Sequence, residues 1–216
     1  MKAKFIVIEG LEGAGKSTAV SVVKAWIEAH RSAKVLVTRE PGGTPMAEKL
    51  RTLIKAPTEP EVEPEFIVST TELLLMYAAR VQLVENVIKP SLKQGVWVIG
   101  DRHELSTRAY QGGGRGINHK TLQTLSDICL DTFKPDITLY LDILPSVGFE
   151  RIQVRGYKDR IEQEDLSFFE RVRQGYLEAI NESMDKHADK PICLIDASQK
   201  LEQVHADIIM ALERYL

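Results

Sequence analysis

Cysteine is nearly absent. Cys129 and Cys193 are the two among 216 residues, and neither sits in a C-x-x-C arrangement. The pair reads as two buried free thiols in apolar surroundings, which fits a reducing compartment. Long apolar runs are missing as well. No stretch approaches the roughly 20 apolar residues that span a bilayer. The run in "MKAKFIVIEG" is too short for a signal peptide. These gaps lead to the expectation of a cytoplasmic protein with no membrane partner. Nor is there an excess of one charge. Lys and Arg number 28 against 31 Asp and Glu, a formal net charge of −3. The broad basic footprint of a nucleic-acid binder is therefore lacking. No repeat or low-complexity tract interrupts the chain. What is present is an ordinary globular composition, 44% hydrophobic and 27% charged, in a chain long enough to bury a substantial core.

Strand-like and helix-like patterns alternate. Phe5–Glu9 reads as a buried strand, and "KVLVTRE" (34–40), "VWVIG" (96–100), "DITLYLDI" (136–143) and "PICLIDA" (191–197) as four more. Helices are predicted over Ser17–His30, from about Pro45, over about 70–94, and over the C-terminal stretch carrying Leu201, Val204, Ile208 and Tyr215. "APTEPEVEPE" (56–65), with three prolines and four glutamates, reads as an exposed loop or hinge. Apolar strands separated by helices mean a parallel sheet covered on both faces. The expected fold is a single α/β domain over 1–216, a three-layer α/β/α arrangement around a five-stranded parallel sheet. Ligands of such sheets sit beyond the carboxyl ends of the strands. That directs attention to 10–17, 39–44, 101–111 and about 142–162.

The first of these segments, Gly10–Ser17, matches G-x-x-x-x-G-K-[ST]. Glycines let successive backbone N–H groups turn inward as a nest for phosphate oxygens. Lys16 is placed to reach β- and γ-phosphates, and Ser17, opening a helix, to hold Mg²⁺ by its hydroxyl. The helix N-terminus adds partial positive charge. The motif implies a nucleoside triphosphate without saying what is done with it. No N-K-x-D tetrapeptide and no L-S-G-G-Q segment occur, which argues against a switch GTPase and a transporter ATPase.

Arginines gather where this fold puts ligands. Arg39 ends the second strand in "TREPGGT", and Arg102 follows the third in "DRHELS". Arg80 lies on or beside the apolar stripe of Leu73, Tyr77, Val84 and Ile88. Guanidinium binds phosphate bidentately, so a second anionic substrate is implied. A charge on an apolar stripe needs either a ligand or a buried acid. Asp101, at the end of the third strand, suits Mg²⁺ or its waters, or a structural ion pair. Arg151, Arg155, Lys158 and Arg160 crowd into "ERIQVRGYKDRIEQE" (150–164). Such a run is a solvated helix face or a short mobile lid that brings arginines to a transition state. Its place after a strand favours the lid.

Together these segments resemble the bacterial thymidylate kinases almost from end to end. The carriers are "IEGLEGAGKST" (8–18), "TREPGGT" (38–44), "YAARVQ" (77–82), "DRHELSTRAYQGGGRG" (101–116), "PDITLYLD" (135–142) and "RGYKDRIEQE" (155–164). The resemblance implies a P-loop kinase, usually a homodimer, that uses ATP and Mg²⁺ to convert dTMP to dTDP. It implies ATP on Gly10, Leu11, Glu12, Gly13, Ala14, Gly15, Lys16, Ser17 and Thr18, with Arg151 above. Ser17 and Asp101 would serve the metal. Arg39 and Arg102 would hold the monophosphate beside Pro41, and Arg80 would meet the thymine edge. Ser106, Thr107, Tyr110 and Gln111 would line the nucleoside pocket, with Tyr110 against the sugar C2′. The loop holds Leu11, Glu12 and Ala14 where some relatives carry an arginine, so Arg155 and Arg160 of the lid would join Lys16, Arg102 and Glu12 in catalysis. Glu12 would take the sugar 3′-hydroxyl or a Mg²⁺-bound water. Met76 stands where many relatives stack a phenylalanine on thymine. His103 stands where tyrosine or phenylalanine is common, and no catalytic role is assigned to it. Two other readings stay open: a kinase for a different nucleoside monophosphate, and a P-loop switch that hydrolyses ATP to change shape.

Overall fold

The computed structural model describes residues 2–56, 66–155, 158–184 and 190–216, without the side chains of 152–155 and 184. Five strands carry the fold: β1 (Phe5–Gly10), β2 (Val35–Arg39), β3 (Trp97–Asp101), β4 (Ile137–Asp142) and β5 (Ile192–Asp196). They form one parallel sheet in the order β2-β3-β1-β4-β5. β1 sits at the centre and is buried along its whole length, as a strand covered on both faces must be. Its alternation splits the core. Ile6 and Ile8 pack in the cluster that holds Val23 and Ile27. Phe5 and Val7 join Leu83, Val84 and Ile88 in another. From β1 the chain crosses to the edge at β2, returns to fill β3, and then builds on the β4 side. That reversal opens a crevice at the carboxyl end of β1.

The helices are α1 (Lys16–Arg31), α2 (Pro45–Lys55), α3 (Ser69–Leu83), α4 (Lys89–Lys93), α5 (Glu104–Thr107), α6 (His119–Leu130), α7 (Pro145–Arg155), α8 (Leu166–Met184) and α9 (Leu201–Tyr215), with π-helical segments at Val84–Ile88 and Arg108–Gly114. Local chemistry starts α2. Thr44 Oγ1 accepts from the Ala47 N–H at 3.1 Å, and Pro45 fills the first-turn position. The helix expected over 70–94 is helical throughout but not uniform. Pro90 has no N–H to give the carbonyl one turn back, and the helix widens into a π segment just ahead of it.

Other expectations need amending. α6 and α8 were not anticipated by the strand-and-helix pattern. Both cysteines are free, yet only half-buried. Residues 57–65, expected as an exposed loop, lie outside the described residues. Among those described, no helix is long and apolar enough to cross a membrane.

Candidate active site

β1 hands over to the loop 10–15 at its carboxyl end. Gly10 has φ +143°, and a Cβ there would stand 2.6 Å from the Leu141 carbonyl oxygen. A side chain is thus barred where the loop leaves the sheet. Gly15, at φ +89°, enters α1 from the left-handed region. Lys16 lies folded over this loop, its Nζ donating to the carbonyls of Gly10 (3.2 Å) and Leu11 (2.8 Å). Burial, reinforced by the nearby Arg102 charge, lowers its ammonium to about 8. Arg151 of α7 reaches across and donates from Nη1 to the Gly13 carbonyl at 2.7 Å.

Arg102 stands just after β3, at φ +74°. A non-glycine residue held there carries backbone strain of about 1–3 kcal/mol, which its surroundings must offset. Its guanidinium is fixed from several sides. Nη2 donates to Glu12 Oε1 (2.6 Å) and the Tyr110 hydroxyl (3.1 Å), and Nη1 to Ser106 Oγ (3.1 Å) and the Tyr176 hydroxyl (3.0 Å). Tyr110 also donates to the second oxygen of Glu12. Burial works to raise the Glu12 carboxyl, but the charges of Arg102 and Lys16 outweigh it and hold it at about 2. Glu12 is therefore an anion clamped to a cation. Behind them Glu9 ties the start of α5 to β1. It accepts from the His103 N–H (2.8 Å), Ser106 Oγ (2.5 Å) and the Tyr176 hydroxyl (3.0 Å). Burial pushes its carboxyl above the usual range.

A second buried acid organises the other end of the cleft. Glu40 accepts from Arg80 Nε and from His103 Nδ1, each at 2.6 Å. Burial would raise its carboxyl, yet the adjoining Arg80 and His103 bring it below the usual range. Arg80 Nη2 is taken by the His103 carbonyl (3.0 Å) and Thr107 Oγ1 (2.8 Å). Its Nη1 is buried and has no protein partner. Gln111 mirrors this. Its Nε2 donates to Glu72 Oε1 at 2.7 Å, while its Oε1 is buried without a partner. Met76 lies one helical turn before Arg80 and so shares its face.

Glu12, Lys16, Glu40, Met76, Arg80, Arg102, Tyr110 and Gln111 border one cleft of about 460 Å³ that runs from the 10–17 loop to Gln111. Ser17, Asp101, Arg39, Arg51 and Lys55 line it as well. A glycine-rich loop at one end thus faces an arginine-lined pocket at the other.

A family model for thymidylate kinase matches residues 8–208. The chain belongs to the thymidylate kinase family. As a member it phosphorylates dTMP to dTDP with ATP as donor.

Of the expected residues whose side chains the structure describes, the fold brings all to the cleft except Gly10, Leu11, Ala14, Thr18 and Arg160. Leu11 and Ala14 turn into the core, which leaves the loop their backbone to offer. Thr18 is exposed on α1. The Arg155 side chain lies outside the described residues. Arg160 points elsewhere, to the Ile54 carbonyl (2.9 Å) and Glu72 (2.5 Å). The run 158–164 is no solvated face: Asp159, Ile161 and Glu162 are buried, and Asp159 pairs with Lys55 at 2.5 Å. This part of the stretch expected as a lid packs on the end of α2. Sequence reasoning passed over Glu40, Glu72, Tyr176 and Arg51, and used Glu9 only as a strand end. "TREPGGT" and the apolar stripe around Arg80 held a signal for Glu40, since a buried arginine calls for an acid.

Proposed function

We propose that dTMP lies in this cleft with its base edge at Arg80 and Gln111 and its phosphate at Arg102 and Arg39. ATP occupies the 10–18 loop under Arg151, and the γ-phosphoryl group passes between them in line. One observation carries the acceptor assignment. Arg80 Nη1 is a donor and Gln111 Oε1 an acceptor, both buried, both unpartnered, both on the same cleft. Thymine offers the complement: O4 accepts and N3–H donates. Cytosine reverses both, with an amino donor and a ring-nitrogen acceptor, and would leave two buried groups unpaired. Met76 supplies a polarisable thioether against the ring face.

The acceptor phosphate has its second pKa near 6, so its oxygen is already ionised at neutral pH and no general base is needed. What remains is to hold two anions together in line. Arg102 does this for the acceptor from a guanidinium that cannot swing. Lys16 exchanges its two loop carbonyls for β- and γ-phosphate oxygens. Glu12 keeps lone pairs beyond those used by Arg102 and Tyr110, and accepts the sugar 3′-hydroxyl. Tyr110 crowds C2′ and disfavours ribose. Asp101 Oδ1 is a buried acceptor with no partner, and Ser17 shares its cleft. This pair fits Mg²⁺, which keeps several waters and takes other ligands from phosphate. Held by these two residues, Mg²⁺ would neutralise phosphate charge. We further propose a cytoplasmic homodimer. Leu74 on α3 and Ile128 on α6 leave 52% and 73% of their surface exposed, apolar area that a second copy would cover.

The test is a comparison of dTMP with dCMP and N3-methyl-dTMP. Each of the latter is expected to lose about tenfold or more in kcat/KM, the scale of one unpaired buried group. Equal use of all three would contradict the reading.

A further inference from the structure

The two ends of a glutamine amide have nearly the same shape, so Gln111 can present oxygen or NH₂ to a ligand. The choice matters. Oxygen pairs with the N3–H of thymine, and NH₂ would pair with the bare N3 of cytosine. Something must settle which end faces the cleft. Glu72, on α3, is 1% exposed and accepts from Gln111 Nε2 at 2.7 Å. An ionised carboxylate accepts and cannot donate. The amide oxygen therefore has no bond to gain by turning toward it, and must face the cleft.

Glu72 in turn is held by the lid. Arg160 Nη2 lies 2.5 Å from its Oε2, and Arg115 Nη2 reaches the same oxygen at 3.2 Å. Arg160 is itself seated on the end of α2, by its Nε on the Ile54 carbonyl (2.9 Å) and its main-chain N–H on the Lys55 carbonyl (3.3 Å). Arg115 is also bound to Glu164, in the same docked segment. The segment that follows the lid arginines thus delivers a cation to the acid that orients the base reader.

We infer that Glu72 is a positioning residue that selects the oxygen end of Gln111 for the base, and that the docked lid, through Arg160, holds it in that role. This rests on the reading that Gln111 meets the thymine edge. Base discrimination is then coupled to lid docking, and by reciprocity dTMP favours the docked lid more than dCMP does.

The test measures competitive binding of dTMP, dCMP and 2-deoxyribose 5-phosphate to the full-length enzyme and three variants. Glu72→Gln keeps the shape but can donate, so Gln111 is free to turn. Its dTMP-to-dCMP affinity ratio is expected to fall about tenfold or more, with the sugar phosphate bound within about twofold of wild type. Arg160→Gln is expected to lower the ratio about threefold or more, again sparing the sugar phosphate. Gln111→Leu must collapse the ratio if that residue reads the base; an unchanged ratio there sinks the underlying reading. A collapsed ratio in Gln111→Leu, with wild-type ratios in Glu72→Gln and Arg160→Gln, overturns the inference alone. Should Glu72→Gln fail to fold, Arg160→Gln carries the test, and an unchanged ratio in it overturns the inference.

Discussion

Lys16 has two carbonyls as acceptors and a buried site beside Arg102, and its ammonium sits at about 8 for that reason. Triphosphate oxygens favour the charged form and raise this value on binding. The sign follows. Below pH 8 the lysine is already charged, and binding takes up no proton at this group. Above pH 8 it must gain one, so ATP affinity falls as pH rises, by up to about tenfold per pH unit, until the bound-state value is passed. Calorimetry in buffers of different ionisation enthalpy should show proton uptake growing above pH 8; affinity that stays level there would contradict it. Lys16→Ala is expected to lower kcat by about 10²–10³-fold or more with thermal unfolding little changed. Glu12→Gln should lower dTMP turnover about tenfold or more while ATP binds within about twofold of wild type, because its partners are Arg102 and Tyr110 on the acceptor side. Arg80 is a poor probe of base reading by deletion. Removing it leaves Glu40 buried with His103 alone, and breaking such a pair costs about 3–5 kcal/mol of stability.

At the scale of the element, α8 joins the two halves of the cleft. Phe168 packs its ring 6.3 Å from that of Tyr110, with Arg115 over its face at 4.6 Å. Arg173 forms a bidentate pair with Asp142 at the end of β4 (2.8 and 2.7 Å). Tyr176 then touches Arg102, Ser106 and Glu9 together. The close approach depends on glycine. A Cβ on Gly113 would meet the Arg171 carbonyl oxygen at 2.5 Å. Gly113→Ala should therefore push α8 from the π segment 108–114, costing about 1–3 kcal/mol, and lower kcat as Tyr176 withdraws from Arg102. Chemical denaturation and kinetics on one preparation check both, and a fully stable, fully active variant would refute it. Tyr176→Phe is the milder case: a folded enzyme whose Arg102 is less firmly held.

The whole molecule explains which parts could be read from sequence. β1 and its loop were legible because their cause is local. An apolar run must be a buried strand, and Gly10 and Gly15 stand where the backbone takes positive φ. Arg39, Asp101 and Arg102 were legible because the sheet sends strand ends to one edge, and Arg80 because it is a charge on the apolar stripe of α3. Glu72 was not, and of Glu40 only the need for some acid near Arg80 could be read, because each acts on residues about 40 positions away in sequence, a pairing created only by the fold. Arg160 was read as part of a charge run, and its partners Ile54 and Glu72 lie still farther off. α8 escaped notice because its polar face is used, by Arg173 and Tyr176, inside the protein. The account's central claim is that two buried, unpartnered groups on this cleft select an acceptor whose base offers O4 and N3–H, as thymine does, for a phosphate taken from ATP. The direct measurement is a panel of dTMP, dUMP, AMP, CMP and GMP with ATP and Mg²⁺, following the acceptor diphosphate as well as ADP. The account predicts dTDP formed one-for-one with ADP, and kcat/KM for dTMP about tenfold or more above that for AMP, CMP or GMP. ADP released without a phosphorylated acceptor, or AMP, CMP or GMP used as well as dTMP, would contradict it.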